Sequence, residues 1–272
     1  MNRIAGVDEA GRGAVIGPLV VAAVSIEADS IERLIELGVK DSKLLDRRSR
    51  ITLYNRILEL GSSAVCIAEP KVIDEYVCRH ALNLLEARMV AHVLTRLKPL
   101  LAYVDACDTK PERFSAMIAR MLDKNDTSMM ISSAHKADRD NVLVGAASII
   151  AKVVRDSIIN DMKRRCGDFG SGYPSDIKTR RFIEHLLTDG IVEKEDDDDA
   201  LSNRDEHCSI LASIDVSYLD GANCSNGNNS HGYHSRNGMN NSERINYRFD
   251  FIRYSWKPVR LLLTNNRLYS DS

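Results

Sequence analysis

Up to about residue 190 the apolar residues recur in two alternating periods, and that alternation restricts the fold more than any other feature of the chain. Arg3 to Val7, Leu19 to Ile26, Ser63 to Ala68, Leu100 to Val104 and Met129 to Ser133 are short apolar runs, as buried strands require. Ile73, Val77, Ala81, Leu84, Ala87, Ala91 and Leu94 recur at helical spacing and predict one long amphipathic helix over Val72 to Lys98. A second long helix is expected over Val142 to Lys163, and a shorter one from Pro111, where proline's fixed φ suits a first helical residue. Strands alternating with helices predict an α/β fold, with helices packed on a sheet.

Beyond residue 190 the character changes. Glu193 to Asp199 is an acidic run, and Gly221 to Asn246 is dominated by Asn, Ser and Gly. Such a composition buries too little apolar surface to offset its ordering entropy. The expected organisation is a folded domain over 1–190, a disordered insertion over 191–246 and a C-terminal segment over 247–272 that docks back on the body. Within the insertion, Ile210 to Tyr218 is expected to be a weak, partly ordered island. The net charge of −2 hides an asymmetry. Residues 1–190 carry 28 Lys and Arg against 26 Asp and Glu, whereas residues 191–272 carry 9 against 13. The body is therefore mildly basic and must concentrate its cations locally to hold a polyanion.

Several classes drop out. No apolar run is long enough to cross a bilayer. Ala14 to Ile26 is a poor signal peptide, because Asp8 and Glu9 stand where a basic region belongs. The six cysteines form no CxxC pair, which argues against a zinc site and a disulfide framework. A cytoplasmic protein is the simplest expectation.

Four carboxylates stand at the ends of apolar strands. Asp8 and Glu9 follow the first, Asp105 ends the run Leu100 to Val104, and Asp138 lies between the strand ending near Ser133 and the helix starting near Val142. Ligands bind at strand ends in α/β sheets. Gathered carboxylates repel one another unless cations neutralise them. Hard divalent ions take oxygen ligands and keep positions for water and phosphate, and a pair of them suits phosphodiester hydrolysis. Taken singly, each acid is as well explained by a turn or a cap. Asp140 reads as the cap of the following helix, and Asp108 as the start of a turn before Pro111.

Gly11, Arg12 and Gly13 follow the acid pair directly. Two glycines let backbone amides approach a ligand, and the arginine supplies a cation. Gly170 to Asp176 is a glycine-bearing turn with one aromatic, Tyr173, which could stack on a sugar or base. Lys152 and Arg155 share a face of the second long helix, and Lys40 and Lys43 flank Asp41 and Ser42. These basic residues are candidate phosphate contacts.

Together these residues resemble the type 2 ribonucleases H. RIAGVDEAGRG over Arg3 to Gly13 resembles the opening signature of that family. KDSKL at 40–44, YVDA at 103–106, HKAD at 135–138, AASIIAKVVRD at 146–156 and GSGYPSD at 170–176 follow in the family's order. RYSWK at 253–257 resembles a segment near the end of archaeal members. The resemblance implies a ribonuclease H-like fold: a central mixed sheet flanked by helices, with a small helical C-terminal part. It implies Asp8, Glu9, Asp105 and Asp138 as catalytic ligands of two divalent ions, Mg²⁺ or Mn²⁺. It implies that Gly11, Arg12 and Gly13 contact the ribose 2′-hydroxyl. Tyr173 would pack on the sugar beside the scissile phosphate, and Lys43 and Lys152 would contact phosphates. The implied substrates are RNA–DNA hybrids and duplex DNA with embedded ribonucleotides, handled by a monomer.

The insertion departs from the family pattern, and Leu261 to Ser272 lacks the glutamine and paired aromatics of a sliding-clamp motif. The type 3 ribonucleases H carry an extra domain before the first acid, for which Asp8 leaves no room. A resolvase or integrase of the same fold would not need the Gly-Arg-Gly loop or Tyr173. A non-catalytic hybrid-binding module could dispense with one or more of the four acids.

Overall fold

The computed structural model of the chain describes residues 2–39, 46–122, 129–188, 210, 213–220, 223–226, 251–257 and 259–260. Lys43 with its motif, the acidic run at 193–199 and the clamp-motif region 261–272 lie outside the described residues.

The strands are β1 (Arg3–Ala10), β2 (Leu19–Glu27), β3 (Ser62–Ala68), β4 (Leu101–Asp105), β5 (Met130–Ala134), β6 (Asp215–Asp220) and β7 (Asn223–Asn226). They form one mixed sheet in the order β5-β4-β1-β2-β3-β6-β7. β1, β2 and β3 pair antiparallel, while β4 runs parallel to β1, β5 to β4, and β6 to β3. The helices are α1 (Ile31–Glu36), α2 (Arg47–Leu60), α3 (Pro70–Cys78), α4 (Leu82–Leu97), α5 (Pro111–Ala119), α6 (Ala137–Asp140), α7 (Val142–Cys166) and α8 (Ile177–Thr188).

β2 shows how the sequence divides two cores. Successive side chains on a strand point to opposite faces. Val20, Ala22, Val24 and Ile26 join the core under α7 and α2, while Leu19, Val21 and Ala23 join the core under α4 and α3. A strand covered on both faces reads as a continuous apolar run, which β2 does. α7 lies across β1 and β2. Its approach requires Gly6, because a Cβ there would come within 2.1 Å of the Leu143 carbonyl carbon.

Three expectations are corrected. The long helix over Val72 to Lys98 is two helices, α3 and α4, separated at Arg79–Ala81, where His80 takes a φ of 52°. The cap of α7 is Asn141, whose side chain accepts from the Leu143 and Val144 amides, and Asp140 ends α6 instead. Within the segment assigned to a disordered insertion, β6 overlaps the partly ordered island expected over Ile210 to Tyr218 but forms a regular strand, and β7 extends the sheet beyond that island. β6 is fixed by the Ser217 hydroxyl on the Val65 carbonyl, by buried Leu219 and by a bidentate Arg96–Asp215 pair. Among the described residues no helix is long and apolar enough to cross a membrane.

The C-terminal segment returns to the body. Ile252 bridges to Ile16, and Phe251 packs with Phe169 and Phe182 at ring separations of 6.1 and 6.3 Å.

Candidate active site

The parallel pairing of β1 with β4 decides where the acids meet. Val7 stands opposite Val104, so Asp8 and Asp105 lie side by side just past the point where the β1–β4 pairing ends. β5 extends this edge, and α6, entered by the turn after it, carries Asp138. That turn is locked to β4, because the Ala137 amide donates to the Asp105 carboxylate at 2.9 Å. Lys136, with a φ of 57°, makes the reversal into α6.

Strand alternation sends the paired acids apart. Asp8 points to the α7 face, where it is buried and hydrogen-bonded to Ser148 and to the Glu9 amide at 2.8 Å. Glu9 points to the α4 face, towards Glu86. Burial pushes the Asp8 carboxyl up to about 6, reinforced by the charges of Asp105 and Asp138 and opposed by its hydrogen bonds. Burial also holds Glu9 well above the usual carboxylate range, with Asp8, Glu86 and Asp105 adding to it and Arg12 pulling the other way. The four acids therefore share one electrostatic site. Among the described residues they do not form a closed metal cage. Like charges this close lower their energy by standing apart.

Lys152 reaches this site from α7. Its ammonium donates to the Ser148 hydroxyl at 2.8 Å, the same hydroxyl that serves Asp8. Arg155, one turn further on, does not face outward. It is buried, donates to the Ile16 and Pro18 carbonyls, and sits 4.9 Å from the centre of the Tyr173 ring.

The Gly-Arg-Gly loop leaves β1 beside the acids. Gly11 has a φ of 90°, and a Cβ there would strike Arg155 and the Pro18 carbonyl. The Arg12 guanidinium turns back onto α4, to Glu86 at 2.8 Å and Asn83 at 2.7 Å. Gly13 is exposed, and a Cβ there would meet nothing within 4 Å. The Tyr173 loop is hung on the same segment, since the Gly172 carbonyl accepts from the Val15 and Ile16 amides. Tyr173 itself is half-buried.

Sequence reasoning missed Glu86, Asn83 and Arg253. Glu86 is 2% exposed in the middle of an apolar helix face. Burial raises its pKa, partly offset by Arg12. An acid between Leu85 and Ala87 on that face was the available signal. Asn83 also bonds Asp108, which in addition accepts from Arg113 at 3.0 Å and from the Lys110 amide. These donors, Arg113 first, hold Asp108 at about 2. Asp108 is thus a structural turn residue.

The sequence model of ribonuclease HII matches residues 5–195. The chain belongs to the ribonuclease HII family. It is 45% identical to the ribonuclease HII of Cenarchaeum symbiosum over 181 residues, which cover 66% of this chain and 85% of that protein. With the ribonuclease HII of Pyrococcus horikoshii it shares 45% over 185 residues, covering 67% and 82%. The crystal structure of ribonuclease H2 from Pyrococcus horikoshii OT3 superposes with a TM-score of 0.70 at 32% identity, covering 97% of this chain and 99% of that one. The ribonuclease HII from Archaeoglobus fulgidus, solved in complex with PCNA, gives 0.64 at 41%, covering 70% and 90%. The fold is accordingly ribonuclease H-like, and the chain is a type 2 ribonuclease H, a metal-dependent endonuclease. The resolvase, integrase and non-catalytic readings fall with this assignment.

Proposed function

We propose that this ribonuclease HII cuts the RNA strand of RNA–DNA hybrids and incises duplex DNA at embedded ribonucleotides, leaving 3′-hydroxyl and 5′-phosphate ends. The observation that carries this reading is the convergence of Asp8, Glu9, Asp105 and Asp138 on one strand edge, each within the field of at least one of the others.

The donor set fits two divalent cations, Mg²⁺ or Mn²⁺. It consists of hard carboxylate oxygens, and burial raises the pKa of two of its members, so that added positive charge would favour their ionised form. When bound, such ions activate a water and stabilise the leaving oxygen of a phosphodiester. The chain's own groups hold the ligands still. Ser148 and the Glu9 amide orient Asp8, and the Ala137 amide orients Asp105. Lys152, tied to Asp8 through Ser148, supplies a cation for a neighbouring phosphate. Lys43 would supply a second.

RNA differs from DNA by the 2′-hydroxyl, exposed in the wide minor groove of an A-like duplex. The open backbone at Gly13 can meet that hydroxyl without reading base sequence. Tyr173, backed by Arg155, offers a rigid ring for the adjoining sugar. On this reading the enzyme acts as a monomer.

A continuous hybrid, labelled on the RNA strand and incubated with Mg²⁺, Mn²⁺ or EDTA, tests the proposal. RNA fragments ending in 3′-hydroxyls should appear with either metal and not with EDTA. Undiminished cleavage in EDTA, or 3′-phosphate ends, would overturn it.

A further inference from the structure

The geometry points to Arg253 as a positioning residue for ribonucleotide recognition: its guanidinium sets the peptide between Arg12 and Gly13 so that the Gly13 N–H faces the substrate. This rests on the reading of Gly11 to Gly13 as the sensor of the 2′-hydroxyl.

Arg253 is fully buried. Its Nη1 donates to the Arg12 carbonyl at 3.0 Å and its Nε to the Gly17 carbonyl at 2.9 Å. One rigid guanidinium thus spans both ends of the loop between β1 and β2. The backbone joins in. The Arg253 amide donates to the Val15 carbonyl and the Gly17 amide to the Phe251 carbonyl, each at 2.9 Å, around the Ile16–Ile252 bridge. The clasp is held from outside by Asp74 on α3, which accepts from the Tyr254 amide, the Ser255 amide and the Ser255 hydroxyl. Trp256 lies 5.7 Å from the guanidinium.

The consequence for Gly13 follows from peptide geometry. In a trans peptide the C=O and N–H point in opposite directions, and the described residues contain no cis bond. A carbonyl of Arg12 drawn inward by Arg253 therefore turns the Gly13 N–H outward. Outward is open space, since Gly13 is exposed and a Cβ on it would touch nothing. The other side of Arg12 is fixed as well, by Glu86 and Asn83 on its side chain. With both ends held, the N–H is presented without a reorganisation cost at binding.

Mere packing does not explain this residue. A buried guanidinium is costly, and among the described residues the buried Nη2 of Arg253 has no hydrogen-bond partner to offset that cost. The positive charge of Arg155 also acts against it. An apolar side chain would fill the space but leave two loop carbonyls without a donor.

The test uses the Asp8→Asn background, so that bound duplex is not cut. It measures the affinity for a duplex containing one ribonucleotide relative to the same duplex in all-DNA form. Gly13→Pro removes the N–H and should abolish the preference. Arg253→Lys keeps the buried charge but gathers its donors on one nitrogen, which cannot span the two carbonyls as Nε and Nη1 do. It should lower the preference about tenfold or more, the scale of a hydrogen bond to a charged group, while the affinity for all-DNA duplex and the melting temperature stay near those of the parent. If Gly13→Pro abolishes the preference and Arg253→Lys leaves it within about twofold, the role of Arg253 is wrong and the loop reading stands. If Gly13→Pro leaves the preference intact, the loop reading falls and this inference falls with it. Should Arg253→Lys not fold, Asp74→Ala loosens the clasp from its outer end with the guanidinium retained. A lowered preference in that variant supports the inference, and an unchanged one overturns it.

Discussion

Replacing Asp8 by Asn should stabilise the metal-free protein while abolishing cleavage. Asp8 is 7% exposed, and its carboxyl is raised from 3.8 to about 6, first by burial and then by Asp105 and Asp138. A raised acid favours the protonated folded state, so the sign is fixed. The folded chain binds more protons than the unfolded one between these two values, and stability falls as pH rises through that window. Above it, ionising Asp8 costs the fold at most roughly 3 kcal/mol, at 1.36 kcal/mol per pH unit. Asparagine keeps an oxygen for the Glu9 amide and turns an N–H towards the neighbouring carboxylates, so it escapes that cost. A gain of about 1 kcal/mol raises Tm by roughly 2–4 °C for a protein of this size. Thermal unfolding in EDTA at pH 7.5 and pH 4, paired with hybrid cleavage in Mg²⁺, reads both halves. The variant should melt several degrees above the parent at pH 7.5, with the gap closing near pH 4, and should not cut. A variant no more stable than the parent at pH 7.5, or one that turns over normally, would refute the reasoning.

Other consequences follow from the same geometry. Tyr173→Ala should reduce incision at a single embedded ribonucleotide by about 5- to 150-fold, the range of roughly 1–3 kcal/mol for a stacking contact. Continuous hybrids, with more sugar contacts, should lose less. Equal losses on the two substrates would remove the junction-sensing role. Gly6→Ala forces a methyl into the α7 backbone and should lower both Tm and cleavage, because α6 and α7 carry Asp138 and Ser148. Wild-type values of both would show that the helix can yield. Leu219→Ala should cost about 2–5 kcal/mol in denaturant unfolding if β6 is an integral strand, and no measurable cost would return this segment to the insertion. Replacing residues 227–246 by a short linker should leave hybrid cleavage largely unchanged, since that stretch of sequence has little apolar surface to contribute.

The placement of the four acids near one edge of the sheet was legible in the sequence because each ends or follows an apolar run, and the order of the motifs named the family. What escaped depends on contacts across the chain. The break at Arg79–Ala81 contains neither glycine nor proline, yet His80 there takes a positive φ between α3 and α4. β6 is a short run flanked by polar sequence, and its partner β3 lies about 150 residues earlier, where no local pattern points. Arg155 looked like a surface cation because it lies three residues from Lys152. It is buried because the turn at Ile16–Pro18 leaves carbonyls that need a donor. Arg253 was visible only as part of a resembling motif. Its partners are the Arg12 and Gly17 carbonyls, more than 230 residues away in sequence.

The most direct test of the account is incision of a DNA duplex containing one ribonucleotide, compared with the identical all-DNA duplex, with Mg²⁺ and with EDTA. The account predicts a single metal-dependent cut at the ribonucleotide, ending in a 3′-hydroxyl and a 5′-phosphate, and none in the all-DNA duplex. Cutting of both duplexes alike, or an intact ribonucleotide strand in Mg²⁺ and in Mn²⁺, would contradict it.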